Sequence, residues 1–227
     1  MKKNIIFILI VICFTSCGRN DPERIGQYML STNELKLNPY TGHDTIIFQD
    51  SLQQKIVFIG VDRITDTNYF GDDTAHPSQW TKYYSEEKNL TYFTSNIMCD
   101  SSTPKKPYII VGVSAKVDFK YPDRTPPIDK YIQITLPEYS RDYNCRSYFR
   151  LNIINEKLCV KDSIDKHFDK IIIENKSYYD VFQLHSSNVD VDRLDSNYIY
   201  PKSMFYSKKN GIISFKMSNG QNFIRKN

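Results

Sequence analysis

The sequence is poor in the residues that build most recognisable catalytic motifs. Its 227 residues include 8 glycines, 1 tryptophan and 4 histidines. No glycine-rich loop leads from a strand pattern into a helix pattern, so a phosphate-binding loop is not indicated. The histidines lack the H-E-x-x-H spacing of zinc hydrolases, and no G-x-S-x-G segment marks a serine nucleophile. We therefore expect no cofactor and no motif-encoded active site.

No block of like charge stands out either. The chain carries 30 Lys and Arg residues against 26 Asp and Glu residues, a formal net charge of +4. The signs are interleaved rather than gathered into the basic arms that bind nucleic acid, so we expect no nucleic-acid partner. A hydrophobic share of 40% is that of an ordinary globular protein.

Cysteine is sparse and its spacing excludes two kinds of site. No C-x-x-C pair occurs, which argues against a thioredoxin-like redox site and against a zinc knuckle. Cys99, Cys145 and Cys159 follow the N-terminal region. An odd number leaves at least one thiol free or intermolecular, and pairing Cys145 with Cys159 would close a short loop. The sequence leaves the pairing open.

The N-terminus has the layout of a secretory signal. Lys2 and Lys3 precede an apolar run from Ile5 to Phe14. That run is shorter than the ~20 residues that a membrane-spanning helix needs, so it indicates an export signal rather than an anchor. It ends at Thr15-Ser16-Cys17, where small residues mark a cleavage site.

The segment Phe14-Thr15-Ser16-Cys17-Gly18 resembles the lipobox of bacterial lipoproteins, with Phe14 where leucine is commoner. The resemblance implies removal of residues 1–16 and acylation of Cys17 by palmitate-class chains. The residue directly after Cys17 is Gly18 and not aspartate, so retention at the inner membrane is not signalled. We expect a cell-envelope protein anchored in the outer membrane and facing the periplasm. A plain secretory signal in which Cys17 is merely small is the alternative.

Residues 17–42 are polar and irregular and predict a tether, and residues 43–227 predict a single β domain. In that domain apolar residues recur mostly with period two. Strand candidates occupy 45–49, 55–61, 90–94, 108–121, 131–136, 148–154, 170–174, 178–184, 203–207, 211–217 and 221–225. Asn210-Gly211 and Asn219-Gly220 are typical of type I′ hairpin turns.

Three segments carry more specific expectations. Asp62–Gln79 is polar and predicts a long loop, and Ser163–Phe168 predicts a short helix. The alternation in Tyr108–Tyr121 predicts a strand with one face in solvent. The whole pattern indicates an all-β antiparallel meander of roughly nine to eleven strands. A barrel or half-barrel is the first interpretation, and a sandwich is the alternative.

Aromatic residues are in excess, with 17 Tyr and 13 Phe. Exposed Tyr and Trp side chains can stack on sugars or contact a partner, whereas inward-facing ones fill a β core. Core filling accounts for most of them. The candidate ligand-binding residues are Trp80, Tyr83, Tyr84, Tyr92 and Tyr206.

Carboxylates with an imidazole could bind a metal or move a proton, and Asp72, Asp73 and His76 lie together in the expected loop. A solvated loop whose acids fix turns explains the same residues. The segment Asn188–Asp192 begins like a calcium loop, but Arg193 and Ile199 stand where an EF-hand needs Gly and Glu. We therefore expect no metal site.

The C-terminal segments Met204–Phe215 and Asn219–Phe223, with Tyr179–Phe182 upstream, resemble the tail of small Bacteroidota lipoproteins of unknown function. The resemblance implies a lipocalin-like or lipoprotein-carrier-like half-barrel. It carries no catalytic residue, and Phe223 stands where the family often has Trp.

Three functional hypotheses follow. The first is a non-enzymatic, lipid-anchored envelope protein that binds an apolar or glycan ligand or a partner envelope protein. The second is a hydrolase of glycans or envelope polymers whose carboxylates lie in the 62–79 loop or at Asp118 or Asp123. The third is a structural or adhesion subunit, which an exposed edge strand would favour.

Overall fold

The computed structural model describes residues 23–71, 82–95, 108–117, 128–137, 146–186 and 199–227. Nearly all of them are β-structure, which confirms the all-β expectation. The described residues contain thirteen strands and one four-residue helix, more strands than the sequence pattern predicted. The helix α1 spans Thr32–Leu35. The strands are β1 (Glu23–Tyr28), β2 (Thr45–Gln49), β3 (Lys55–Gly71), β4 (Lys82–Ser95), β5 (Tyr108–Val117), β6 (Ile128–Pro137), β7 (Arg146–Ile154), β8 (Lys157–Val160), β9 (Lys166–Ile173), β10 (Lys176–His185), β11 (Pro201–Ser207), β12 (Gly211–Met217) and β13 (Asn222–Arg225).

The strands form one sheet in the order β8-β7-β6-β5-β4-β3-β2-β13-β12-β11-β10-β9. Every strand pair of known register is antiparallel. Chain neighbours pair from β2 to β8 and from β9 to β13, whereas β8 and β9 stand at the two ends of this order. The pairing of β2 with β13 joins the two runs of strands. In the larger unit this antiparallel meander forms a nearly closed barrel, so the barrel or half-barrel interpretation is confirmed there.

The chain divides into two units. Residues 28–68 and 86–227 form the larger one, and residues 1–27 and 69–85 form the smaller one. In the smaller unit the described strand residues belong to β1, β3 and β4, and β1 pairs with β4 beside the main strand order. Ser85 is buried there. The two apolar clusters, helix α1 and the cleft described below belong to the larger unit.

The core of the larger unit follows from strict alternation along its strands. Val113, Ile132 and Leu151 stand side by side across β5, β6 and β7, and all three are fully buried. Each such side chain contributes roughly 1.5–3 kcal/mol by leaving water. The inward rows predicted for residues 131–136 and 148–154 are confirmed.

A second, smaller cluster lies on the outer face of the sheet. It contains Val181 and Ile213, whereas their chain neighbours Phe182 and Ile212 belong to the main core. Successive strand residues point to opposite faces, so this cluster packs outside the barrel. The β9–β10 hairpin covers it with Tyr178. Asp180 has a φ of 52°, and neither Asp180 nor Asp169 has a partner in the β9–β10 register, so the ladder is interrupted here without a register shift.

The segment predicted as a tether is built into the larger unit from residue 30 onward, so that prediction is wrong there. Leu30, Leu37 and Tyr40 lie in the main core. Ser31 caps α1, because its hydroxyl accepts from the Glu34 amide while the Glu34 carboxylate accepts from the Ser31 amide. Leu30, Leu37 and Tyr40 are too few and too widely spaced to show the period of a strand or helix. The turn-forming residues around them therefore predicted an irregular segment.

Helix α1 is held in place within the larger unit by an ion pair and by hydrogen bonds. The Nζ of Lys130 on β6 lies 2.8 Å from the carboxylate of Glu34. Glu156, in the turn after β7, accepts from the Ser31 hydroxyl and from the Asn33 side chain, both at 2.8 Å. Polar side chains of α1 thereby gain partners far away in the sequence.

The long loop predicted for Asp62–Gln79 is wrong as far as Gly71. These residues belong to strand β3, because Ile64, Thr65 and Tyr69 are β-formers on an exposed stretch. Residues 72–79 lie outside the described part. Loops and solvent-exposed strands are both polar, so composition alone does not distinguish them in this segment.

The helix predicted for Ser163–Phe168 is a turn followed by β9. The Asp165 amide donates to the Asp162 carbonyl, which forms the turn. The Asp165 carboxylate then accepts from the His185 amide at 2.8 Å, which ties the turn to the end of β10. A partner twenty positions away thus overrides a weak helical pattern.

The outward row of β5 is not in solvent as predicted. Gly112 and Ser114 are both buried. A Cβ atom at Gly112 would lie 2.5 Å from Cδ2 of Leu90, so the neighbouring strand β4 covers this face. Residues 118–121 of the same prediction lie outside the described part.

The three C-terminal strands are confirmed, but their turns are not type I′. Gly211 and Gly220 have φ values of 71° and 90°, whereas Asn210 and Asn219 are not in the left-handed region that type I′ requires. Gly211 is also needed for space, because a Cβ atom there would lie 2.2 Å from the Tyr40 hydroxyl oxygen. Nothing lies within 4 Å of the same position at Gly220.

Gly211→Ala is therefore expected to destabilise the protein more than Gly220→Ala. The control variant carries only the cost of a positive φ, about 1 kcal/mol. Gly211→Ala adds displacement of Tyr40 and loss of its hydrogen bond, for a total of about 2–4 kcal/mol. Urea unfolding followed by circular dichroism measures both, and equal losses would contradict the role of Tyr40.

Candidate functional site

The predicted ligand-binding aromatics are not all within the described structure. Trp80 lies outside the described residues, and the backbones of Tyr83 and Tyr84 belong to β4. Tyr92 is half-buried on the same strand. Tyr206, on β11, is fully buried. No shared binding surface follows from the two whose side chains are described.

Tyr206 instead belongs to a pair of buried tyrosines that anchor the N-terminal segment. Its hydroxyl donates to the Leu37 carbonyl at 2.9 Å. The Tyr40 hydroxyl accepts from the Ile212 amide at 2.7 Å. Burial raises the pKa of Tyr40 to about 12, and it raises the pKa of Tyr206 well above its ordinary value. Both hydroxyls remain neutral partners of the backbone.

Most residues that the sequence suggested for lipidation, disulfide bonding, metal binding or catalysis lie outside the described residues. These are Cys17, Asp72, Asp73, His76, Cys99, Asp118, Asp123, Cys145 and the segment 188–192. Of Cys99, Cys145 and Cys159, only Cys159 is described, and it is a free thiol. Within the described ranges no group of three or more metal-ligating side chains comes together.

Two of the three described histidines, His167 and His185, each pair with one carboxylate. His167 Nε2 lies 2.7 Å from Asp180 Oδ1 across the β9–β10 hairpin. His185 Nδ1 lies 3.3 Å from Asp165 Oδ1, at the turn already described. Each pair joins two segments of the β9–β10 region, which is a structural use.

The larger unit has an open cleft of about 300 Å³, a volume at the small end of the range for ligand sites. Four separate parts of the chain form it: the connection from α1 to β2, the tip of β10, the β11–β12 turn and the C-terminal strand. Its lining is largely polar. The residues are Pro39, Tyr40, Asp44, Lys176, Tyr178, Lys209, Asn210, Arg225 and Asn227.

Two walls of this cleft are set by the fold of the hairpins. The β9–β10 hairpin extends past the end of β11, since the β10–β11 ladder begins only at Val181. Its tip brings Lys176 and Tyr178 over the outer cluster. At the tip, the Glu174 carboxylate pairs with Lys226, just after β13. That ion pair holds the hairpin beside the C-terminal strand.

The other walls depend on the β2–β13 pairing. Arg225 lies opposite Phe48 in that ladder. The Asn227 side chain continues it, because it accepts from the Ile47 amide at 3.0 Å and donates to the Thr45 carbonyl. Arg225 Nη1 donates to the Asn210 carbonyl, which fixes the β11–β12 turn against β13.

The side chains of the lining give the cleft a positive character. Lys176, Lys209 and Arg225 stand against one carboxylate, Asp44. Asp44 Oδ2 already accepts hydrogen bonds from the Thr41 amide at 2.6 Å and from the Thr41 hydroxyl at 2.9 Å. The carboxylate therefore fixes its own loop, and the cations are left facing the cleft.

Sequence reasoning missed every cationic residue of this cleft. Lys176, Lys209 and Arg225 belong to three different strands or turns, and each is an ordinary surface residue in its local context. The only local signal was Asn210-Gly211, which marks the turn that carries Lys209. No spacing rule connects the three positions.

Comparison of the chain with protein-family models, with curated proteins and with solved structures gives no match. In the part of the chain that the structure describes, no helix is both long enough and apolar enough to span a membrane. The cleft therefore carries the functional argument.

The raised pKa of Tyr40 predicts a loss of stability in alkali. Burial raises its pKa in the folded state to about 12, against an ordinary value of 10.0 for tyrosine. Neutral Tyr40 is favoured by folding, so its contribution is complete below pH 10 and is lost as the pH rises towards 12. The expected slope is about 1.4 kcal/mol per pH unit for one such group.

Tyr40→Phe should be less stable than the wild type at pH 7, because the Ile212 amide loses its acceptor, but its stability should fall less steeply between pH 10 and 12. Tyr179→Phe is the control, since Tyr179 is exposed, and its profile should parallel the wild type. Urea unfolding at several pH values measures the slopes. A Tyr40→Phe profile as steep as that of the wild type would refute this assignment.

Proposed function

We propose that the protein is a non-enzymatic, lipid-anchored cell-envelope protein whose barrel binds a polar ligand, a glycan, in the cleft of the larger unit. The observation that carries this proposal is the cleft itself, which is open, polar and lined by side chains from four parts of the chain. Binding sites commonly collect a few polar groups from separate elements on a rigid scaffold.

The lining supports a polar ligand over an apolar one. The apolar side chains of the larger unit are largely committed to its two packed clusters. The aromatic groups at the cleft are Tyr40, whose hydroxyl is bonded to the backbone, and Tyr178, which is 4% exposed and packs on the outer cluster. The lining around Tyr178 is polar, an environment that suits a sugar better than a lipid chain.

Binding rather than catalysis is supported by the state of the cleft carboxylate. Asp44 is the one carboxylate side chain of the described lining, and its Oδ2 accepts from Thr41 and Gly42. Glycoside hydrolysis needs two carboxylates about 5–9.5 Å apart, one to donate a proton and one to attack or to activate water. A single, internally bonded carboxylate suits a positioning role.

The anchor is supported by the lipobox resemblance at Phe14–Gly18. Acylation at Cys17 would place the first described residue, Glu23, six positions from the lipid. Two or more acyl chains hold a protein at a membrane stably, since each buried methylene contributes about 0.8 kcal/mol. The barrel would then face the periplasm from the outer membrane.

Mass spectrometry of the protein purified from membranes tests the anchor. We expect a chain that begins at Cys17 and carries the added mass of acyl chains. The Cys17→Ser variant should be recovered without lipid and should leave the membrane fraction. An unmodified thiol, or a chain that begins elsewhere, would contradict the anchor.

Ligand binding is tested on the Cys17→Ser variant, which keeps the whole barrel. We expect shifts of the Asn210 and Lys176 amide signals in ¹⁵N NMR spectra on titration with mono- and oligosaccharides, and none with palmitate. Saturable shifts at these amides with palmitate, and none with any saccharide, would favour the apolar-ligand hypothesis instead.

A further inference from the structure

We infer that the cleft recognises a small oxyanion carried by its ligand, a carboxylate, sulfate or phosphate group on a sugar, through Lys176, Lys209 and Arg225. This inference deepens the proposed function and rests on it for the cleft being the ligand site. Three cations from three different segments converge there, and neither lysine has an ion-pair partner among the described residues.

The two lysines have no carboxylate partner within the described structure. Lys226, by contrast, is paired with Glu174, and Lys130 is paired with Glu34. Lys176 lies with its Nζ 5.4 Å from the centre of the Tyr178 ring, which orients the ammonium group without neutralising it. Lys209 is exposed on the opposite side of the cleft, in the β11–β12 turn.

Arg225 supplies donors in a fixed position. Its Nη1 is bonded to the Asn210 carbonyl, so the guanidinium plane is set by the backbone of the turn. Its Nε is buried and has no hydrogen-bond partner among the described residues. A guanidinium group carries five N–H donors, and its planar fork matches the oxygen pair of a carboxylate, sulfate or phosphate group.

Two neutral polar side chains of the lining are already in use. The Asn227 side chain bonds to the Ile47 amide and the Thr45 carbonyl. The Asn210 amide group donates to the Ser207 hydroxyl at 3.1 Å. Most of the donors left for a ligand are therefore cationic, and an anionic group gains more from them than a hydroxyl group does.

A matched series of sugars tests the inference on the Cys17→Ser protein. The probes are glucose, glucuronate, glucose 6-sulfate and glucose 6-phosphate, with inorganic phosphate as the probe without a sugar. At least one anionic sugar should bind about tenfold more tightly than glucose. Its affinity should fall as salt rises from 20 to 300 mM, because ions screen the exposed lysines.

Variants locate the effect. Lys176→Gln and Lys209→Gln should each weaken binding of the preferred anionic sugar by about threefold to tenfold and leave glucose unchanged. Lys208→Gln is the matched control, since Lys208 is the exposed neighbour of Lys209 and is not in the lining. It should change the affinity by less than about twofold.

The outcomes separate this inference from the proposed function. Equal affinity for glucose and for every anionic sugar would overturn the oxyanion site and leave glycan binding intact. The same loss with Lys208→Gln as with Lys209→Gln would show only a general charge effect and would also overturn it. Absence of binding by any saccharide would contradict both the oxyanion site and the proposed glycan binding. Phosphate binding equal to glucose 6-phosphate binding would identify free phosphate rather than a sugar as the ligand, which contradicts the inference as stated.

Discussion

The hydrogen bond from the Ile212 amide to the Tyr40 hydroxyl is the contact on which most of the larger unit depends. It is buried, so breaking it would leave a backbone donor without an acceptor, at a cost of about 1–3 kcal/mol. It also requires glycine at position 211, because a methyl group there would overlap the tyrosine oxygen. Arg63 strengthens the same junction by donating to the Tyr40 and Leu35 carbonyls. The N-terminal segment thereby becomes part of the core.

The same junction determines where the cleft is. Tyr40 precedes the connection that carries Asp44, and Gly211 follows the turn that carries Lys209 and Asn210. Once the hydroxyl is bonded to the amide, those two walls face each other at a set distance. The Arg225 contact with the Asn210 carbonyl then adds the C-terminal strand. Stability and binding geometry thus share one set of contacts, which is how a β scaffold can hold exposed side chains in place.

Local patterning predicted the strands whose environment is uniform and failed where distant partners decide the conformation. Residues 131–136 and 148–154 alternate cleanly, and the structure confirms them as strands. It also confirms the C-terminal strands predicted at 203–207, 211–217 and 221–225. Ser163–Phe168 failed because the Asp165 carboxylate bonds to the His185 amide. The 17–42 segment failed because Leu37 and Tyr40 are buried by strands that follow much later in the chain.

By itself, the sequence determined that the chain is all-β and which faces of its central strands are apolar, because the two-residue period of a strand is a local property. It also indicated the turns at Gly211 and Gly220. Only the tertiary structure decided that β2 pairs with β13, that Tyr178 of the β9–β10 hairpin packs in the outer cluster, and that Lys176, Lys209 and Arg225 meet. Those arrangements come from pairing and burial between segments far apart in the chain, and such contacts leave no periodic trace in either partner alone.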